Sequence, residues 1–210
     1  MEEKKVDSIR WIRCMFYLNV AGLAISLLGF LPINNNWIAW PNRALTAATL
    51  YCMFCMGVFY SRYTTAAIFR TIQFIISLLS VIATTVLARY AAKTGNAEVL
   101  RIWNTGSQLI GSGAMVVGWI GTYQLYHAHA DLVAEKSPSL EKKWSNLFWV
   151  SLLIGIAASV ATSLLALTYD WLPGNSAAVI STIVNNLSTK LVSLLCVIYL
   201  YRTIGVLEKE

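Results

Sequence analysis

The stretch LFWVSLLIGIAASVATSLLALTY, residues 147–169, contains no charged side chain in 23 positions. As a helix rising ~1.5 Å per residue it covers about 35 Å, enough to cross the ~30 Å hydrocarbon layer of a bilayer. Its apolar and polar positions do not alternate, so it does not read as a strand. Four other uncharged runs lie at 14–31, 44–61, 71–88 and 107–126, and a sixth at 177–201 is interrupted only by Lys190. Each is at least 18 residues long. Only 12% of the chain is charged, against the roughly 25% usual in a soluble domain, and mean hydropathy is +0.60. Lipid accepts only helices or closed barrels, because it offers the backbone no hydrogen bonds. The expectation is therefore an all-α, polytopic transmembrane helical bundle of six spans, forming one integral membrane domain over 1–210. No solenoid-length repeat is evident.

The first run follows Lys4, Lys5, Arg10 and Arg13, as a secretory signal would. It is too long for a signal core and no A-x-A-like site follows, so it is expected to remain as the first helix.

An even number of spans puts both termini on one side. Eleven basic residues then share that side, among them Lys4, Lys5, Arg62, Arg70, Lys142, Lys143 and Arg202; four, Arg43, Arg89, Lys93 and Arg101, lie opposite. The excess predicts cytoplasmic termini. Trp11, Tyr60, Tyr63, Tyr126, Trp144 and Tyr201 are expected at the inner interface, and Trp37, Trp40, Tyr90, Trp103 and Trp171 at the outer one. The net charge of +6 suits anionic cytoplasmic lipid. It is scattered over separate loops and forms no stripe, so nucleic acid is not an expected partner. Short loops point to a bacterial plasma membrane, the inner membrane.

Apolar side chains gain nothing by meeting in lipid, so close helix contacts need small residues. Gly111, Ala114, Gly118 and Gly121 recur at three- and four-residue steps and are read as a helix-packing face. A homo-oligomer seam or a wall beside a substrate would use the same pattern.

The most informative segment is AAVISTIVNNLSTKLVS, 177–193. At helical spacing Thr182, Asn186, Thr189, Lys190 and Ser193 share a face, which Asn185 widens, while Ile183, Leu187, Leu191 and Leu194 cover the other side. A lysine near mid-bilayer costs about 2.5–3.5 kcal/mol on insertion scales. No carboxylate lies in any of the six runs to relieve it. Lys190 could point into a wet cavity, bind an external anion, lose its proton, or snorkel to the outer surface along its long stem. Asn19, the other polar outlier, suits an interhelical hydrogen bond. Gln73 and Gln108 lie near run ends, where wet surroundings account for them.

Other patterns carry less. Cys52 and Cys55 make a C-x-x-C inside an apolar helix, where packing is the expected role. His127, His129 and Asp131 are too few for a metal site and place His129 off the face shared by the other two. Ser137 and Pro138 read as the N-cap and first position of a restarted helix, with Trp144 then anchoring at the interface. No catalytic motif, metal site or cofactor site is expected. The functional expectation is a non-enzymatic bundle that binds or conducts a small polar or anionic solute. Lys190, Asn186, Thr189, Asn185, Thr182 and Ser193 would line its site. The alternative is a structural, regulatory or pore-forming effector subunit of a membrane complex.

Overall fold

The computed structural model describes the backbone of residues 2–28, 35–96, 98–167 and 176–209, and their side chains except at 2–6, 35–37, 104, 108, 165–167, 176–179, 181, 182 and 185. Six helices make up nearly all of it: α1 (Glu2–Leu28), α2 (Asn35–Gly57), α3 (Ser61–Thr94), α4 (Glu98–Val133), α5 (Pro138–Leu167) and α6 (Ser176–Glu208). No strand occurs among the described residues. Four helices carry stretches long and apolar enough to cross a membrane, at Asp7–Leu28, Ser61–Thr94, Pro138–Leu164 and Asn186–Glu208. In α2 and α4, polar and small residues such as Asn42, Arg43, Ser107 and Gly111 dilute the apolar content.

The helices are longer than the apolar runs, and much of the expected loop sequence is helical. Arg43 lies inside α2, Arg70 inside α3 and His129 inside α4. A charge marks where hydrocarbon ends, but a helix can continue into water. The link between α2 and α3 is only 58–60. Gly57 closes that corner: a Cβ there would stand 3.0 Å from the Thr64 backbone nitrogen. Thr64 Oγ1 donates back to the Gly57 carbonyl at 3.1 Å. Helix α3 stops at Gly95, whose φ of +71° is left-handed and whose N–H bonds to Ala91 O at 2.9 Å. Helix α5 begins at Pro138, and the Ser137 carbonyl accepts from the Leu140 and Glu141 N–H groups at 2.9 and 3.0 Å.

Each helix packs on its neighbours in sequence, and α6 returns to α1, so the six close a ring. Arg13 on α1 reaches Glu208 on α6 at 2.6 Å, which brings both ends of the chain to one end of the ring. There the ring is filled. Ile12, Met15, Met53, Met56, Tyr63, Ala66, Leu125, Trp144, Leu147 and Leu200 form a continuous apolar core, while Arg13, Arg62, Asp131, Lys142, Arg202 and Glu208 are exposed around it. We call this end the collar. Away from it the pattern inverts. Ile68, Ile72, Ile75, Leu79, Ile82 and Val86 form an exposed stripe along α3. Trp149, Leu153, Ile156, Val160 and Leu164 do the same on α5, and Ile183, Leu187, Leu191, Leu194 and Ile198 on α6. Contiguous exposed apolar stripes on neighbouring helices are not how a protein meets water.

A polar network runs through the collar. Tyr63 Oη lies 2.6 Å from His129 Nδ1. The His129 ring stacks on Trp144 at 4.4 Å and 28°. Trp144 Nε1 donates to Thr203 Oγ1 at 3.0 Å, and Thr203 Oγ1 donates to Tyr199 O at 2.9 Å. Four helices are thereby tied together. Trp144, Tyr63 and Tyr126 were expected at the lipid interface; all three are buried, because the helices carry them past the apolar runs into this core. Tyr201, 67% exposed, faces outward.

Two measurements follow from these contacts. A Cβ at Gly121 would stand 2.9 Å from Arg70 Cγ and 3.2 Å from the Arg70 backbone nitrogen, whereas one at Gly111 would meet nothing within 4 Å. Gly121→Val should destabilise by about 1–3 kcal/mol, and Gly111→Ala should stabilise by up to about 1 kcal/mol through helix propensity, both read from thermal unfolding in detergent. Burial pushes the His129 ring down to about 3, so it is neutral when folded. An unfolded chain takes up a proton below about pH 6.5. Stability is therefore complete above that pH and is lost toward pH 3, at about 1.4 kcal/mol per pH unit. Lowering pH from 7.5 to 5.5 should depress the unfolding midpoint, and His129→Phe should flatten that dependence.

Candidate functional site

Polar stripes on α1, α2, α3 and α6 line a set of neighbouring cavities. On α1 the stripe is Asn19, Gly22 and Ser26; on α2 it is Asn42, Thr46 and Thr49; on α6 it is Asn186, Thr189, Lys190 and Ser193. These three stripes line one cavity of about 770 Å³. Steps of three and four residues put each set on a single helix face. A second cavity, about 390 Å³, shares Asn19, Asn42, Thr46 and Thr49 with the first and adds Arg43, Arg70, Gln73 and Ser77. Leu50 and Met53, which belong to the collar core, also line it. A third, about 550 Å³, lies between α3 and α4 and shares Gln73 and Ser77 with the second. The three cavities are thus neighbours with walls in common. Each falls within the ~300–1,000 Å³ range of small-molecule sites.

Hydrogen bonding decides what the walls offer. Thr46 Oγ1 donates to Asn42 O at 2.8 Å and Thr49 Oγ1 to Leu45 O at 2.9 Å. Ser193 Oγ donates to Thr189 O at 3.0 Å and Ser26 Oγ to Leu23 O at 2.8 Å. Each hydroxyl proton is engaged on its own helix, which leaves the oxygen lone pairs for an occupant. Asn19 Nδ2 likewise donates to Met15 O at 2.7 Å; its bond is within α1 and not between helices, as the sequence suggested.

Of the α6 residues singled out from sequence, Asn186, Thr189, Lys190 and Ser193 line the first cavity; the Thr182 and Asn185 side chains lie outside the described residues. The small-residue face of α4 divides. Gly118 receives the Gln73 side chain, Gly121 receives Arg70, and Ala114 is buried. Gly111 and Ala114 border the third cavity.

Arg43, Arg70 and Gln73 were not among the residues selected from sequence. They stand at the edges of the apolar runs, where counting charges assigns them to loops or wet ends. The signal that reveals them is the helical step Arg70, Gln73, Ser77, Ser80 and Thr84 along α3, which continues the stripe into the uncharged run. The weaker motifs are absorbed by packing. Cys52 is buried in the collar core and all four cysteines are free thiols. His127 Nδ1 lies 2.9 Å from its own helix at Tyr123 O, and Asp131 pairs with Arg62 at 3.0 Å. Among the described residues no three His, Cys, Asp or Glu side chains gather as metal ligands.

Set against known families, curated proteins and solved structures, the chain matches no family model, no curated protein and no solved structure.

Water access tests the inverted polarity directly. With the native thiols replaced, cysteines at Thr46, Ser77 and Asn186 should react with a membrane-impermeant thiol reagent in proteoliposomes. Cysteines at Ile75, Leu79 and Leu191, on the exposed apolar stripes, should not. Equal labelling of the two sets would mean that the interior is no wetter than the outside.

Proposed function

We propose that this chain is a non-catalytic multi-pass membrane protein that binds or conducts a small polar or anionic solute through the polar interior of its helix ring. Six spans with both termini cytoplasmic, in a bacterial inner membrane, complete the reading. The observation that carries it is the gathering of Asn186, Thr189, Lys190 and Ser193 with Asn19, Asn42, Thr46 and Thr49 around one cavity. Polar side chains at bilayer depth are expensive unless they meet protein, water or a ligand, and four helices here line neighbouring cavities with theirs. The six-helix ring, the meeting of its two ends and the basic surface of the collar support the topology. The collar is packed shut, so conduction requires a second state in which the core around Met53, Tyr63 and Leu200 parts.

Lys190→Met tests the reading. Purified protein in proteoliposomes should bind or take up members of a panel of small carboxylates, phosphates and polyols. The substitution should weaken the best of them at least tenfold, with the unfolding temperature nearly unchanged. Full activity in the variant would remove Lys190 from the function and leave the structural-subunit reading in its place.

A further inference from the structure

We infer that the second cavity is an oxyanion site, in which Arg43 and Arg70 hold a carboxylate or phosphate group. The inference rests on the solute-binding reading above and names the chemistry of the solute. Both arginines line the same cavity from neighbouring helices. Lys190 lines the cavity that shares its Asn19, Asn42, Thr46 and Thr49 wall. Three cationic side chains thus line two cavities with a common wall, and among the described residues no carboxylate lines either of them. The described ion pairs that engage Glu98, Asp131 and Glu208 lie elsewhere, with Arg101, Arg62 and Arg13. Like charges that line neighbouring cavities raise the local positive potential, so an arrangement of this kind attracts an anion.

The residue type narrows the class. A guanidinium presents a planar fork of donors that matches two oxygens of a carboxylate or phosphate, a geometry that a halide does not use. Each arginine has a packing contact. The Arg43 guanidinium lies over the Trp40 ring at 4.9 Å from its centroid. The Arg70 stem lies in the notch at Gly121. The rest of the wall suits what an organic oxyanion carries beyond its charge. Thr46 and Thr49 have spent their protons on α2 and present acceptors, which fit hydroxyl or amine donors on the solute. The class is therefore a small carboxylate or phosphate bearing donor groups. A phosphate could arrive free in water or as an anionic lipid headgroup.

The test uses the full chain in phosphatidylcholine nanodiscs at constant ionic strength. Inorganic phosphate, acetate, glycerol and choline are titrated, with chloride as the balancing anion, and binding is followed by calorimetry and by the unfolding midpoint. Phosphate or acetate should bind and raise the midpoint, and choline should not. Arg43→Gln and Arg70→Gln should each weaken that binding tenfold or more. Arg70→Lys keeps the stem on Gly121 and should recover only part of the loss; it also shows whether a failing Arg70→Gln is a folding defect. Full recovery of anion binding in both Gln variants would overturn the inference. Glycerol binding without phosphate or acetate binding would overturn it while leaving the cavity reading intact, and silence from every probe would remove both. Repeating the titration in nanodiscs with phosphatidylglycerol separates the sources. Loss of phosphate binding there assigns the site to a lipid headgroup, and unchanged binding assigns it to a soluble anion; the oxyanion site stands in either case.

Discussion

The stack of Trp144 on His129, with Tyr63 and Thr203 hydrogen-bonded at its two ends, is the contact on which the architecture depends. It joins α3, α4, α5 and α6 inside an apolar core. Burying an indole and an imidazole is favourable only when their N–H groups and ring nitrogens find partners, and each link of the chain supplies one. The imidazole is held neutral by the same burial that makes the packing effective. Because the helices are fastened firmly at this end, they can leave cavities between them farther along without the ring coming apart.

That separation makes the interior possible. A bundle packed along its whole length would leave no room for Lys190, Arg43 or Arg70. Here the α4 glycines mark the transition. Gly118 and Gly121 bring α3 close enough for Gln73 and Arg70 to lie against the α4 backbone, while at Gly111 the neighbouring space is open. Over about three turns the α3–α4 seam changes from close contact to a cavity wall. The same α3 stripe therefore serves two purposes, packing at Arg70 and lining cavities at Ser77 and Thr84, where Thr84 Oγ1 also accepts from Trp103 Nε1 of α4 at 2.8 Å.

Much of this was legible in the chain. Helical class followed from uncharged runs of 18 residues or more, and the polar face of α6 from its spacing. What could not be read was the distance each helix travels beyond its apolar run. Sequence patterns locate the border of hydrocarbon, because that is what charges respond to; they do not locate the last helical residue. Trp144 and Tyr63 were misplaced for this reason, since an aromatic beside a charged segment looks the same whether it faces lipid or a protein core. His129 was hidden by its neighbours: His127 and Asp131 share one face and His129 lies on another, which carries Leu125 and Val133 into the collar. Arg43 and Arg70 read as charges that set topology; the α3 step from Arg70 to Thr84 hints at a stripe, but that the two arginines line one cavity depends on α2 and α3 standing side by side, which no single-helix pattern contains.

Helix length has a last consequence. At ~1.5 Å per residue the 34 residues of α3, one of the four helices long and apolar enough to cross a membrane, extend about 51 Å, well beyond the ~30 Å of a hydrocarbon layer. A molecule so built would meet two media in a bilayer, water around the charged collar and acyl chains along the exposed apolar stripes. Urea acts by solvating apolar and peptide groups, so it should loosen the first region and barely touch the second. Chain length of the surrounding lipid should do the reverse, through hydrophobic mismatch.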